Sequence, residues 1–230
     1  SVNDSLTGVF NATFRLTTSS GSTLTAWLYA TNNTIRTLTQ NYWNTTFDTS
    51  TVADGRYNIT INATDYANNQ QIINISAINI DATKPSVEGI TPANMTNISG
   101  NVLINASVND TTSGVLNATF MLVNITNGSV TGWLYATGNS SFDKTTWNTT
   151  FNTATLTAEG TYNITINATD FAGNQQLQTI STITIDNTKV NVSIVVPVNL
   201  TNTSSTALLI NASVNDSLTG VFNATFRLTT

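Results

Sequence analysis

Apolar and polar residues alternate along most of this chain with the two-residue period of a half-buried β-strand. The longest run covers residues 160–170, where Tyr162, Ile164 and Ile166 alternate with asparagine and threonine. Residues 102–108 repeat the pattern, and no window has the period of an amphipathic helix. The chain is therefore predicted to be all-β.

Seven short strands are predicted between residues 82 and 186. Turns separate them about every dozen residues, which is typical of an antiparallel, immunoglobulin-like β-sandwich. The apolar phase slips near Ala77 and Ile180, which predicts a β-bulge in two equivalent strands. The predicted strands cover residues 87–90, 102–108, 116–122, 133–135, 147–151, 160–170 and 176–185. The predicted inward-facing side chains are Leu116, Ala118, Phe120, Leu122, Tyr162, Ile164 and Ile166.

One stretch of sequence occurs more than once. Residues 1–18 and 213–230 are identical, and residues 107–124 are a looser copy. The three copies start 106 residues apart, and a period of that length corresponds to one whole domain per repeat. The chain is therefore predicted to be a tandem array.

The repeat divides the chain into three predicted domains. Residues 82–186 form a complete sandwich, residues 1–81 lack the first two strands of theirs, and residues 187–230 begin a third. The two outer parts expose strand edges and core residues such as Phe10 and Phe14, so neither is expected to fold alone. We expect the partners of these parts to be further copies of the same repeat in one chain, with laterally associated chains in addition.

Composition narrows the classes of function. Charged residues make up only 8% of the chain, against roughly 25% in an average globular protein. The net charge of −5 is spread thinly, which argues against a nucleic-acid partner, and no apolar run is long enough for a membrane span. Neither cysteine nor histidine is present, so the common nucleophile–base pairs are excluded and no enzymatic activity is expected.

Short motifs at the predicted strand ends resemble those of a known family. Residues 54–57 and 159–162, Asp-Gly-Arg-Tyr and Glu-Gly-Thr-Tyr, have the form of the entry to strand F of an immunoglobulin-like domain. Residues 63–69 and 168–174 have the form of the F–G hairpin, and residues 80–85 that of the crossing into the next domain. The chain thus resembles the tandem immunoglobulin-like and fibronectin-III-like repeats of prokaryotic, archaeal-type surface proteins. The resemblance implies an extracellular or cell-surface location, in a fibre, an S-layer or an adhesin.

Asparagine is the strongest chemical signal. About 24 of the roughly 33 asparagines lie in Asn-x-Ser/Thr sequons, where the serine and threonine content alone would give about ten. Many fall on outward-facing positions of predicted strands, which a glycan needs because it cannot be buried. The alternative is that asparagine and threonine only fill an exposed polar face. N-linked glycans are predicted at Asn11, Asn44, Asn58, Asn62, Asn105, Asn109, Asn117, Asn148, Asn163, Asn167, Asn211 and Asn223.

Five aspartates are candidate ligands for a structural Ca²⁺ ion, the only cofactor that the sequence suggests. The B–C and F–G loops of such a sandwich share the end at which the preceding linker arrives, so Asp81, Asp110 and Asp170 are expected to converge. Asp186 and Asp216 recur at the next junction. Ca²⁺ prefers clustered oxygen ligands. Alternatively, each aspartate caps its own turn and a neighbouring lysine balances the charge.

Three classes of function remain after these exclusions. A structural fibre would use tandem sandwiches as a stalk, sheath or filament, and an adhesin would bind a partner through its end loops. An adhesin usually devotes one divergent domain to binding, whereas these repeats are near copies, so the structural role is favoured. An enzyme has no supporting motif. The four tryptophans are expected to pack in the sandwiches rather than to form a sugar-binding platform.

Overall fold

A computed structural model describes residues 4, 6–32, 42–128, 130–138, 145–227 and 229. The described residues are almost all strand or loop, with two short 3₁₀-helices at Thr49–Thr51 and Thr153–Thr155. In this part of the chain no helix is long and apolar enough to cross a membrane. The all-β prediction is confirmed.

The first part of the chain forms one four-stranded sheet with the strand order β2-β1-β5-β6, which we call the first sheet. All its pairings are antiparallel. Strands β3 and β4 pair separately. The strands are β1 (Val9–Thr18), β2 (Leu28–Tyr29), β3 (Thr31–Asn32), β4 (Trp43–Asn44), β5 (Gly55–Asp65) and β6 (Gln70–Ile80).

The second part forms two sheets that pack face to face, and we call it the middle sandwich. One sheet has the order β11-β10-β13-β14-β8 and the other has the order β12-β9-β7. Their strands are β7 (Ser86–Thr91), β8 (Thr96–Ile98), β9 (Asn101–Asn109), β10 (Val115–Asn124), β11 (Leu134–Tyr135), β12 (Thr145–Asn152), β13 (Gly160–Asp170) and β14 (Gln175–Ile185).

The last part contains one antiparallel pair of strands, β15 (Asn191–Val196) and β16 (Asn211–Asn215). We call residues 191–215 the tail hairpin. Nearly all of its side chains are exposed or half-buried, Ile194 and Leu209 to 77% and 71%. It therefore lacks a core of its own among the described residues.

The core of the middle sandwich confirms the strand phase predicted for β13. Tyr162, Ile164 and Ile166 are fully buried, whereas the alternating Asn163 is only half-buried. Side chains from both sheets meet in this core, including Ile104 and Trp147 from the facing sheet. The alternation works because successive side chains of a strand point to opposite faces of the sheet.

The prediction that Leu116 faces inward is wrong. The register of β10 against β13 shifts between Val115 and Asn117, so Leu116 is the extra residue of a bulge and is 44% exposed. Val115 is buried in its place. The equivalent bulge in β1 turns Phe10 outward, where it packs edge-to-face on Tyr66 with ring centroids 5.4 Å apart. Phe10 is therefore no core residue either.

Two other predicted features are confirmed. β5 and β6 lose register between Tyr57 and Ile59, and β13 and β14 lose it after Ile164, so both equivalent strand pairs carry the expected bulge. The hydroxyls of Tyr57 and Tyr162 donate to backbone carbonyls four residues upstream, at 2.7 and 2.6 Å. These bonds form the tyrosine corner that the strand-F motif implies.

One strand was not predicted. Thr96–Ile98 forms β8, which pairs parallel to the end of β14 and gives the otherwise antiparallel sheet a fifth strand. A three-residue strand has too little alternation to be recognised from its sequence.

The bulge predicts a sharp contrast between two neighbouring apolar positions. We expect Phe120→Ala to lower the free energy of unfolding by about 3–5 kcal/mol, because it empties a fully buried site. Leu116→Ala should change it by only about 0.5 kcal/mol, since most of that side chain meets water. Urea unfolding followed by the fluorescence of the buried Trp147 measures both. Equal losses would contradict the assigned bulge.

Candidate functional site

The site is the junction where the linker of residues 81–85 enters the middle sandwich. The loop after β9 is built on Asp110, whose Oδ1 accepts the backbone N–H groups of Thr112, Ser113 and Gly114 at 3.2, 2.9 and 2.8 Å. Asp110 is almost fully buried. The turn ends at Gly114, whose φ of 84° is a conformation that favours glycine.

The same loop occurs in all three copies of the repeated stretch. Asp4 and Asp216 each accept three backbone N–H groups in the way that Asp110 does. Backbone donation, chiefly from Thr7 and from Leu218 respectively, lowers the pKa of both carboxyls. The shared pattern is Asp-x-x-Ser/Thr-Gly, which places the acceptor four residues before the glycine.

The turn after β13 holds the second carboxylate. Asp170 is fully buried and accepts the backbone N–H and the side-chain amide of Asn174, both at 2.8 Å. The turn after β5 repeats this geometry with Asp65 and Asn69. There the amide of Asn69 lowers the pKa of Asp65, and the nearby charge of Asp4 works in the opposite direction.

The linker connects these two loops. Asp81 accepts the backbone N–H of Ser113 through Oδ2 at 3.1 Å and that of Thr83 through Oδ1 at 3.0 Å. The amide of Asn174 donates to the carbonyl oxygens of Asp81 and Thr83, at 3.0 and 3.2 Å. As a result, carboxylate oxygens of Asp81, Asp110 and Asp170 all lie within 4.8 Å of one another. The structure thus brings together the three aspartates expected to converge.

The linker is also held from the side of the first sheet. Asp54 accepts the backbone N–H of Ala82 at 2.9 Å and the hydroxyl of Thr83. Donation from that hydroxyl is the main cause that lowers the pKa of Asp54. Since Asp54 belongs to the corner before β5, Ala82 is bonded to the preceding repeat, Asp81 to the following one, and Thr83 to both.

The next junction repeats these contacts with different residues. Glu159 accepts the backbone N–H of Asn187 at 2.7 Å and the hydroxyl of Thr188 at 2.8 Å. Asp186 accepts the hydroxyl of Thr219 at 2.7 Å, and that hydroxyl also lies 3.5 Å from Asp216. The two aspartates predicted for this junction are therefore bridged by one side chain. Within the described part of the chain, only the first junction has a cluster of three carboxylates.

Sequence reasoning missed three residues of this site, namely Asp54, Glu159 and Asn174. Asp54 and Glu159 hold the linkers, but the sequence identifies them only as part of the strand-F motif. Asn174 was noticed only as part of the hairpin. The available signal was the pairing of Asp65 with Asn69 and of Asp170 with Asn174, four residues apart in both hairpins.

The predicted glycosylation sites differ in exposure. Asn44, Asn211 and Asn223 are exposed, and the other nine are half-buried. The side chain of Asn58 is hydrogen-bonded within the fold, because its Oδ1 accepts the backbone N–H of Ala77 at 3.2 Å in the bulge between β5 and β6. In contrast, the Oδ1 atoms of Asn62 and Asn167 are buried without a hydrogen-bond donor among the described residues.

The tryptophans occupy several environments. Trp147 is buried in the core, and Trp133 is 41% exposed beside the edge strand β11. Trp27 is half-buried, and the guanidinium of Arg15 lies over its ring, 4.5 Å from the centroid. Trp43 is also half-buried. Trp147 therefore packs in the core and Trp27 against Arg15 of β1, in line with the expected core or strand packing.

Comparison with known proteins identifies the fold. The family model described as bacterial Ig-like domain (group 3) matches residues 41–133 and again residues 145–229. The chain belongs to this family. Bacterial Ig-like domains are typically structural modules without catalytic activity, and the Ig-like resemblance read from the strand-F motif is confirmed.

Solved structures of tandem domains are similar to this chain. One is a tetra-tandem repeat in the extending region of a large adhesion protein, with a TM-score of 0.41 and 18% identity over 93% of this chain. The match covers 53% of the solved chain of that tetra-tandem repeat. Another is a set of fibronectin(III)-like modules of CbhA from Clostridium thermocellum, with a TM-score of 0.38 and 16% identity, covering 80% of this chain and 82% of that one. No curated protein matches the chain.

The contacts of Asn174 predict a measurable difference between the two Ig-like hairpins. We expect Asn174→Ala to loosen the junction, because the linker carbonyls and Asp170 lose their hydrogen-bond donor. The free energy of unfolding should fall by about 1–3 kcal/mol. Asn69→Ala is the matched control, since Asn69 makes the same bond to its aspartate. Small-angle X-ray scattering should show a broader distribution of distances within the molecule for Asn174→Ala, and no broadening for Asn69→Ala. Unchanged scattering from both variants would contradict the role assigned to Asn174.

Proposed function

We propose that the chain is a structural repeat of an extracellular fibre, filament or cell-surface stalk built from tandem bacterial Ig-like domains. The observation that carries this proposal is the junction, where the linker is bonded to both of the repeats that it connects. The second junction uses the same kind of contacts. A string of domains with such linkers can transmit tension without relying on a single flexible segment.

The junction also supports this function over that of an adhesin. An adhesin of this fold would bind its partner through the end loops after β9 and β13. In this chain those loops bond the linker, through Ser113 and Asn174. An end that is occupied by the preceding repeat has less surface left for a ligand.

We further propose that N-linked glycans cover the outer faces of the Ig-like domains. Charge repulsion does little to prevent association of a surface with so few charged residues. A layer of glycans would prevent it instead. Asn62 and Asn167 are candidates on the strands, because they alternate with core-facing residues such as Ile166 and are only half-buried. Further candidates are the exposed Asn44 in β4, Asn211 in the tail hairpin and Asn223 in the loop after it.

Surface location and glycosylation can be tested together. Brief proteolysis of intact cells that make the protein should release its peptides, and mass spectrometry should find glycans on Asn62 and Asn167. Asn69 and Asn174 are internal controls, since neither lies in a sequon and both should stay unmodified. Peptides released only after lysis would contradict the surface location, and unmodified Asn62 and Asn167 would contradict the glycans.

We also propose that Asp81, Asp110 and Asp170 hold a structural Ca²⁺ ion. The donor set fits this ion, because three carboxylates come within 4.8 Å and two of them are buried. Their hydrogen-bond donors are uncharged amide and hydroxyl groups, so a bound cation would balance the accumulated charge. The ion would add stiffness to a junction that is already hydrogen-bonded.

Metal removal tests this proposal. At a Ca²⁺ concentration of about 100 times Kd, the free energy of unfolding should rise by about 2.7 kcal/mol relative to a chelated sample. Asp81→Asn should abolish the rise, because it removes a charged ligand, whereas Asp48→Asn, in the loop before the first 3₁₀-helix, should not. Identical thermal unfolding with Ca²⁺ and with chelator would exclude the site.

A further inference from the structure

One row of side chains crosses four neighbouring strands on the outer face of the larger sheet of the middle sandwich. Tyr135 pairs with Thr119, Thr119 with Asn167, and Asn167 with Leu177. Residues directly opposite each other in antiparallel strands point to the same face of a sheet. This face is the outer one, because the next residue of β10, Phe120, points the other way and is fully buried. We call the four residues the middle row.

The two ends of the middle row are apolar and exposed. Tyr135 is 80% exposed and Leu177 is 63% exposed. Along β14, the neighbours of Leu177 on the same face are Gln175 and Thr179, which are polar. Packing in the core therefore does not explain why an aromatic and an aliphatic side chain stand at these two positions.

The first sheet carries the same row one repeat earlier, on its own outer face. Tyr29 pairs with Thr13, Thr13 with Asn62, and Asn62 with Ile72. The ends are again exposed, Tyr29 to 76% and Ile72 to 55%. The order of tyrosine, threonine, asparagine and aliphatic residue thus recurs in the two repeats.

The centre of each row is the asparagine of a sequon, in residues 62–64 and 167–169. The Oδ1 atom of both asparagines is buried without a hydrogen-bond donor among the described residues. The threonine hydroxyl of the row donates instead to the backbone carbonyl of the same asparagine, at 3.3 Å for Thr13 and 3.4 Å for Thr119. Since Oδ1 is turned toward the sheet, Nδ2, the atom that carries an N-linked glycan, is directed away from it.

The other predicted sequon asparagine of β5 and of β13 lies in a different setting. Asn58 and Asn163 both use Oδ1 inside the fold, and Asn163 accepts the hydroxyl of Thr182 at 2.8 Å. Their cross-strand neighbours are Thr17 for Asn58, and Val123 and Thr182 for Asn163. Neither asparagine therefore has an aromatic residue in its row.

A pyranose ring has an apolar face made of its C–H groups, and packing that face on aromatic or aliphatic side chains removes it from water. We propose that the first sugar attached to Asn167 lies above the small Thr119, between the ring of Tyr135 and the side chain of Leu177. Leu177 is on the adjacent strand, and Tyr135 is two strands away, at about 10 Å. The space between the ends of the row is thus wide enough for a sugar ring.

The row of the first sheet binds the first sugar on Asn62 in the same way, between Tyr29 and Ile72. This inference rests on the glycans proposed above and adds the protein surface that binds them. A glycan held at its first sugar leaves each repeat in a defined direction. It also covers two apolar side chains that would otherwise be open to association with other molecules.

Substitutions at the ends of the rows test the inference in the full chain made by cells that glycosylate it. Tyr135→Ala removes the ring and Tyr135→Phe keeps it, and neither should unfold a chain in which this side chain is mostly exposed. Leu177→Ala is matched by Leu103→Ala, since Leu103 is 48% exposed on the other sheet and pairs with Thr150. Mass spectrometry of the peptide that contains Asn167 first establishes whether it carries a glycan.

Nuclear magnetic resonance of the isotope-labelled, glycosylated chain then measures the contact. The C–H protons of the first sugar on Asn167 should be shifted upfield by the tyrosine ring and should show nuclear Overhauser contacts to Tyr135 and Leu177. Tyr135→Ala should abolish the upfield shift and Leu177→Ala should weaken it, whereas Tyr135→Phe and Leu103→Ala should preserve it. Tyr29→Ala should remove the shift of the sugar on Asn62 and leave that on Asn167 unchanged.

The outcomes that contradict the inference are distinct. A glycan on Asn167 whose first sugar is not shifted, or is shifted equally in Tyr135→Ala, would overturn the sugar-binding row and leave the proposed glycans standing. An unmodified Asn167 in the unchanged chain would overturn both. Self-association of the chain that Tyr135→Ala abolishes, with no sugar contact, would overturn the inference in favour of a contact between chains.

Discussion

The larger sheets in the described part of the chain each have one apolar face, and that face has to be covered by a second sheet. A sheet is stable only when its apolar side is removed from water. In the middle sandwich, consecutive strands supply both sides, and residues such as Phe120 and Ile164 are fully buried. The first sheet and the tail hairpin each supply one side. Burial here depends on the neighbouring strands and not on the type of residue.

Much of the fold could be predicted because strand alternation is a simple signal. Tyr162, Ile164 and Ile166 were assigned to the core correctly for this reason. The alternation fails at a bulge, where Val115 and Leu116 are both apolar and the sequence does not tell which of them faces inward. β8 could not be predicted either, since its stability comes from pairing with β14 and not from its own pattern.

The candidate site could be predicted only in part. The approach of Asp81, Asp110 and Asp170 follows from the topology, because the two loops and the linker meet at one end of the sandwich. The role of Asn174 does not follow, since its partners in the linker are backbone carbonyls, which look alike in every sequence. Asp54 was missed because one of its donors is likewise a backbone group, the N–H of Ala82, which every non-proline residue has.

The contacts at each junction come from the linker and the two repeats that it joins, and from no other part of the described chain. Each repeat interacts only with its neighbours, as in other modular arrays. The corner carboxylate is Asp54 in one repeat and Glu159 in the next, and each accepts a backbone N–H of the linker that follows its own repeat. Recombination between identical stretches, such as residues 1–18 and 213–230, can therefore add or delete whole repeats while the remaining joints keep their structure. Because these two stretches start 213 − 1 = 212 residues apart, twice the period of 106, the length of such an array becomes an inherited quantity that changes in steps of two domains.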